Sequence, residues 1–388
     1  MRLELIAVTP TGLESVVAQE LEDLGIKDRM VENGRVTYRG NWQVLAQSNL
    51  WLRSADRILI KLAEFHARTF EELFVGVSKI PWTDWIPSGA QFPVSGRSFD
   101  SQLESVPACQ KIVKKAIVEA VKKRDGGDWV DESSDITLAV EVSLFKNRAT
   151  ITLDSTGAGL HKRGYRTLTG EAPLKETMAH ALVHLSGWTA EHPLIDPFCG
   201  SGTILIEAAL KAWNVAPGLK REFLAEKWPI VPSDIWNDAR EEAFELINDR
   251  KELRLVGYDI NPEAIQLAEA AVKSAGIRGA IRFENKPAAK MRITGDNGFI
   301  ITNPPYGERI GEQKDIDKAL RELGAHLDRF DDWNLFVISN HKWLEHQIGR
   351  KADKLRKLFN GRIACHFFQF YALEPKTPAK FDGNLSNR

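Results

Sequence analysis

The run Thr302-Asn303-Pro304-Pro305-Tyr306-Gly307 holds the residues of this chain whose types and spacing most readily do chemistry. An Asn side chain offers one acceptor and two donors, and two successive prolines remove backbone donors while stiffening the turn, so that carbonyl oxygens are left free to accept. Such a group suits a planar substrate bearing an NH2: Asn303 and the Pro304 carbonyl take the amine hydrogens, Pro305 fixes the turn, and Tyr306 offers a flat face. Stacking of that kind is worth roughly 1–3 kcal/mol per base in nucleic-acid complexes. The preceding Gly298-Phe299-Ile300-Ile301 is a short apolar, β-branched run that reads as a buried strand. It places Asn303 at a strand's carboxyl end, where open α/β sheets bind ligands. A plain structural turn uses the same residue types, and the choice rests on what lies upstream.

Upstream, Pro193-Leu194-Ile195 reads as a strand running into Asp196-Pro197-Phe198-Cys199-Gly200-Ser201-Gly202-Thr203, with an apolar helix from Ile204 to Trp213. A strand, a glycine-rich turn and a helix N-terminus let backbone approach a ligand closely. The Gly-Lys-Ser/Thr ending of a phosphate loop is absent, and the spacing is not that of a dinucleotide fingerprint. Asp196 would repel phosphate and attract a cation; S-adenosylmethionine brings an ammonium and a sulfonium, and its carboxylate suits the helix N-terminus. Leu253 to Asp259 is a second strand ending in an acid, followed by Asn261-Pro262-Glu263 in the order that helix starts favour. An acid there holds ribose hydroxyls in nucleotide-binding sheets, although a simple helix-start acid has the same appearance. Asp259 stands 63 positions after Asp196, against a usual ~20. The insertion from Trp213 to Lys251, with Trp228 and Trp236 inside it, accounts for the excess.

At 388 residues the chain should divide into two or three domains. Its 52 basic and 53 acidic side chains give a net charge of -1, so a nucleic-acid contact must come from local patches. Cys109, Cys199 and Cys365 have no paired spacing for disulfides or zinc, which fits a reducing compartment. Cys199, in the glycine turn, reads as a small buried thiol rather than a nucleophile. His341, His346 and His366 lack ligand spacing, so no metal is expected. With no signal-peptide pattern and no run near the ~20 apolar residues of a membrane span, a cytoplasmic protein is expected.

The first half has α+β texture: strands at Leu3–Val8 and Ile58–Leu62, a hairpin around Asn33-Gly34, and helices from Thr11, Trp42, Phe70 and Pro107. A single helix is expected over Phe70 to Trp85. The helix Pro107 to Arg124 carries Lys111, Lys114, Lys115 and Lys122, and the stretch after it carries Lys146, Arg148, Lys162, Arg163 and Arg166. Each cluster alone reads as a solvated face; together they suggest a surface facing a phosphate backbone. Lys342, Arg350, Lys351, Lys354, Arg356 and Lys357 read as a further basic surface, and the tail from Glu374 as polar and unstructured.

In the order DPFCGSGT, GYDINPEA, TNPPYGERIG, and with the seam LFKNRATITLDSTGAGLHKRGYR, the chain resembles the bacterial THUMP-containing 23S ribosomal RNA guanine-N2 methyltransferases, a half often fused to a guanine-N7-modifying half. The resemblance implies a ferredoxin-like part over 1–44, a THUMP RNA-binding domain over 45–156, a seam over 157–172, and a polar tail over 375–388. Between seam and tail, over 173–374, it implies a class I Rossmann-like methyltransferase domain with a mostly parallel seven-stranded sheet. It implies that Asp196, Pro197, Phe198, Cys199, Gly200, Gly202 and Thr203 hold the methionine part of S-adenosylmethionine, that Asp259 holds the ribose with Ile260 beside it on the cofactor, and that Asn303, Pro304, Pro305 and Tyr306 present a guanine turned out of its helix. Relatives often carry an Asp for the adenine amine where this chain has Pro287, which leaves backbone groups around Ala288, or Asn285, to do that work. Transfer-RNA guanine, DNA adenine, protein glutamine, or RNA binding without catalysis remain alternatives at this point. Oligomeric state is not legible.

Overall fold

Alternation builds the first half of the chain. The computed structural model describes residues 1–126, 130–166, 174–305, 312–327, 332–361 and 363–372. Strands β1 (Leu3–Val8), β2 (Arg29–Glu32), β3 (Arg35–Gly40), β4 (Arg57–His66), β5 (Val94–Phe99), β6 (Val140–Phe145) and β7 (Arg148–Asp154) form a seven-stranded sheet in the order β2-β3-β1-β4-β7-β6-β5. Every pair is antiparallel except β5 with β6, whose crossover is the helix Val106–Asp125. One residue in two points to a shared core: Leu5, Ile58, Ile60, Val140, Val142, Leu144, Ile151 and Leu153 join Leu45 and Leu50 of the helix Trp42–Trp51 and Val113 and Ile117 of the crossover helix. The expected helix from Phe70 to Trp85 is two, Phe70–Ser78 and Trp82–Trp85, because Pro81 has no backbone donor to carry the first one on. Strand β4 pairs with β1 on one side and β7 on the other, so the ferredoxin-like and THUMP stretches share one sheet.

The second sheet follows from buried runs rather than alternation. Strands β8 (Leu194–Asp196), β9 (Leu255–Asp259), β10 (Ile281–Asn285), β11 (Phe299–Thr302), β12 (Asn334–Ser339), β13 (Lys354–Asn360) and β14 (Ile363–Phe370) are arranged β10-β9-β8-β11-β12-β14-β13. The run from β10 to β12 is parallel, and β14 enters antiparallel between β12 and β13. This is the mostly parallel seven-stranded sheet of class I methyltransferases. Both faces are covered: Ile301 and Phe336 belong to one core, Ile300 and Leu335 to the other. Lys354, Arg356 and Lys357 lie in edge strand β13, and Arg356 bonds Gly12 O and Ser15 Oγ of the first half. Among the described residues no helix is long and apolar enough to cross a membrane.

The insertion after Trp213 is a clamp. Phe223, Trp228 and Trp236 are buried in the core of the first sheet, not the second, and Trp228 Nε1 donates to Thr137 O at 2.8 Å. Beside it runs a buried polar seam. Arg163 is 4% exposed, pairs with Glu207 at 3.5 Å and donates to Arg53 O, while Tyr165 donates to Glu207 at 3.0 Å. Arg166 pairs with Glu176 at 3.4 Å and donates to Thr203 Oγ1. The expectation that Arg163 and Arg166 face RNA is therefore corrected: both are consumed inside the protein. A buried guanidinium needs a carboxylate within reach, and Glu207 and Glu176 supply it.

Candidate active site

Parallel strands put their carboxyl ends on one edge, and four neighbours do so here: β10, β9, β8 and β11 end at Asn285, Asp259, Asp196 and, one residue on, Asn303. The turn after β8 depends on left-handed glycines. Gly202 (φ +75) caps the helix Thr203–Ala212, and a Cβ there would sit 2.8 Å from Phe283 Cζ, so only glycine fits. At Gly200 (φ +50) nothing lies within 4 Å of where a Cβ would be, which leaves a cradle over the turn. Gly200 N donates to Asp259 Oδ2 at 2.9 Å and Cys199 N to Tyr258 O at 2.9 Å, tying the first two loops together. Asp259 Oδ1 accepts from Asn261 N at 2.8 Å, and Asn285 Nδ2 donates to Asp259 O at 2.9 Å.

Asp196 is 1% exposed and links the first loop to the third: its Oδ1 accepts from Thr302 Oγ1 at 2.6 Å and from Phe198 N at 3.2 Å. Burial pushes its carboxyl up to about 7, with Asp259 adding to the rise and the Thr302 and Phe198 bonds opposing it. An arriving cation would favour the ionised form. Burial and the same two acids push the Cys199 thiol up, so it makes no thiolate nucleophile. Asn303 Oδ1 is buried and finds no donor among the described residues. Pro304 is buried and Pro305 exposed; Tyr306 lies outside the described residues. Ile260, next to Asp259, is 71% exposed, an apolar face beside the rim. Ala288 is buried at the start of a short 3-10 turn, Ala288–Lys290, and Pro287 before it brings neither carboxylate nor backbone donor.

These observations fit S-adenosylmethionine: a buried acid suited to a cation, a helix N-terminus over a bare turn, a second acid at the next strand end, and an exposed apolar face. Thr302 stood in the opening run without a role, and Trp343 escaped the sequence reading. Thr302 acts through Asp196, which strand alternation alone did not reveal. Trp343, 69% exposed, follows β12 on the same edge, and its exposure carries no sequence signal. The basic residues do not converge on one surface. Lys114 stands 3.6 Å over the Phe92 ring and pairs with Glu132 at 2.7 Å, and Lys115 pairs with Glu119 at 3.8 Å. Lys111 is exposed and Lys122 half-buried on that same helix; Lys146 and Arg148 lie at the β6–β7 turn, and Lys162 is exposed at the seam. Among the described residues no group of three His, Cys, Asp or Glu could hold a metal.

Comparison with known proteins bears on the same three regions. The RlmL ferredoxin-like domain matches residues 4–59, the THUMP domain 67–154, and the RMKL-like methyltransferase domain 163–369. YpsC of Bacillus subtilis (strain 168), whose name marks it as a candidate RNA methyltransferase, is 45% identical over 370 residues, 95% of this chain and 96% of that protein. The ribosomal RNA large subunit methyltransferase K/L of Psychromonas ingrahamii is 36% identical over 379 residues, 96% of this chain. This chain spans about half, 50%, of that protein's length. The crystal structure of SMU.472, named as a candidate methyltransferase and complexed with S-adenosylhomocysteine (SAH), superposes with a TM-score of 0.91 at 40% identity, covering 97% of this chain and 99% of that one. On sheet order, strand-end loops and these matches together, the chain belongs to the RMKL-like family of S-adenosylmethionine-dependent methyltransferases.

Proposed function

We propose that this protein methylates RNA, transferring the methyl group of S-adenosylmethionine to the exocyclic N2 amine of a guanine in 23S ribosomal RNA. The observation that carries the reading is Asn303 Oδ1, which has no partner among the described residues and is buried at the edge where Asp196 and Asp259 also end. A buried acceptor without a donor costs free energy unless a ligand supplies one, and an aromatic amine supplies two hydrogens. Asn303 Oδ1 takes one and the Pro304 carbonyl the other, which turns the nitrogen's lone pair out of the ring and aims it. When bound, the cofactor supplies an electrophilic methyl on a good leaving group, so alignment is the main demand on the protein. The methylated amine sheds its extra proton to water; no strong base stands in the motif.

In this reading Asp196, Pro197, Phe198, Cys199, Gly200, Gly202 and Thr203 hold the methionine end, Asp259 the ribose, and Ile260 and Ala288 the adenine. Pro305 and Tyr306 complete the guanine side. The choice of large-subunit RNA is supported by the name of the K/L relative, and the choice of RNA by the THUMP match. The test is to incubate the protein with labelled cofactor and separate pools of protein-free 23S RNA, transfer RNA and DNA, then identify the labelled nucleoside. N2-methylguanosine in the 23S pool is expected. Label confined to transfer-RNA guanine or DNA adenine would overturn the assignment.

A further inference from the structure

The first sheet carries an aromatic pair that the catalytic edge does not use. Phe99 and Phe145 end the neighbouring strands β5 and β6, are 73% and 52% exposed, and stack on each other with centroids 6.0 Å apart and planes within 14°. Register places Phe99 opposite Phe145, Phe145 opposite Arg148, and Arg148 opposite His66, one row across four strands. Residues in register share a face, and this row lies opposite the one that buries Val142, Leu144 and Ile151 under helices. Two exposed phenyl rings on an outward face are an uncommon use of apolar surface in a single chain.

The row is held in place before anything binds. Lys146 and Asn147 make a two-residue turn with both residues left-handed (φ 50 and 59), a turn that fits the twist of a hairpin. Asn147 Oδ1 accepts from Gln102 N at 2.8 Å, and Asn147 N donates to Ser101 Oγ at 3.0 Å, which braces the turn below Phe145 against the loop after Phe99. Lys146 Nζ lies 5.4 Å from the centre of the Phe145 ring. The charges around the pair are sorted by depth. Arg97 is 59% exposed against 23% for its partner Glu141, and Arg148 is 56% exposed against 20% for Glu64. The guanidinium groups stand outermost, and the loop after Phe99 carries two exposed acids, Asp100 and Glu104.

We propose that Phe99 and Phe145 form a stacking shelf for unpaired RNA bases, with Lys146, Arg97 and Arg148 taking the flanking phosphates. A base continues the stack on the outer face of the pair, as on other sheet surfaces that read single strands through aromatic side chains. Duplex RNA hides its base faces and gains nothing from such a shelf. The proposal extends the RNA reading above but concerns binding away from the catalytic edge.

The test titrates the full chain with a labelled, unstructured oligoribonucleotide of about twelve nucleotides and with a blunt-ended RNA duplex of about the same length. Phe99→Ala with Phe145→Ala should weaken the single strand about tenfold or more and leave the duplex nearly unchanged. Replacing both by Leu should weaken it almost as much, because Leu keeps the apolar bulk and loses the flat face. Lys111→Ala with Lys115→Ala, on the helix side of the same sheet, should change it less than about threefold. SAH affinity, measured in every variant, reports that the fold is intact. Full retention in the Leu pair, equal loss on the duplex, or single-strand binding that none of the Phe variants alters would each overturn the shelf; the last outcome points to a protein partner. Because this readout requires no methyl transfer, it stands or falls separately from the choice of guanine.

Discussion

The two seven-stranded sheets use their edges and faces in opposite ways. In the second, parallel pairing from β10 to β12 buries both faces and gathers strand ends, so chemistry has only the rim to occupy. In the first, mostly antiparallel sheet, helices cover one face, and the β5–β7 corner, with its parallel β5–β6 pair, leaves the other to side chains such as Ser95, Arg97 and Phe99. Parallel order makes a small, enclosed constellation; antiparallel order makes a broad surface. A chain that must grip a small cofactor and a large polymer gains by having one of each, and the clamp and polar seam fix them to each other.

Three substitutions test this division, beginning with the largest effect. Arg163→Ala removes the buried partner of Glu207, which is itself 0% exposed, and should cost about 3–5 kcal/mol in denaturant unfolding. RNA affinity under folding conditions should not change. A variant of parental stability that binds RNA less well would make the seam a surface after all. Next, Asn303→Ala should lower methyl transfer at least about 10²-fold while SAH affinity stays within about twofold. Retained turnover would detach this buried acceptor from catalysis.

The third is a pH effect. Because folded Asp196 holds its proton to about 7 against 3.8 in the unfolded chain, its contribution to stability is intact below the lower value and lost as pH rises through the higher one. Asp196→Asn keeps an acceptor for Thr302 and carries no charge. Its stability gain over the parent should grow by roughly 2–3 kcal/mol between pH 5 and pH 8, measured without cofactor. S-adenosylmethionine affinity of the parent should rise over the same interval and that of the variant should not. A pH-independent difference would show that Asp196 is ionised throughout.

The sequence showed the second sheet more fully than the first. Glycine turns and the polar strand ends at Asp196, Asp259 and Asn303 report local backbone demands, so their order along the chain already marked the rim. Edge strand β13 was hidden because its Lys and Arg residues mask the alternation that buries Leu358. Arg163 and Arg166 looked like a basic surface because charge alone cannot distinguish a phosphate partner from Glu207 or Glu176. The tryptophans of the insertion could not be placed, since their burial depends on a core formed by residues more than a hundred positions away, such as Leu45 and Leu50. Phe99 and Phe145 are separated by a crossover helix, and only register makes them neighbours.

Strand β4 has a practical consequence for engineering. It is flanked by β1 from the first matched region and β7 from the second, so a graft that carries THUMP alone would expose a raw ladder of backbone donors and acceptors along β4 or β7. The transferable cassette is the whole N-terminal sheet, and a chimera cut inside it should aggregate where one cut at the seam stays in solution.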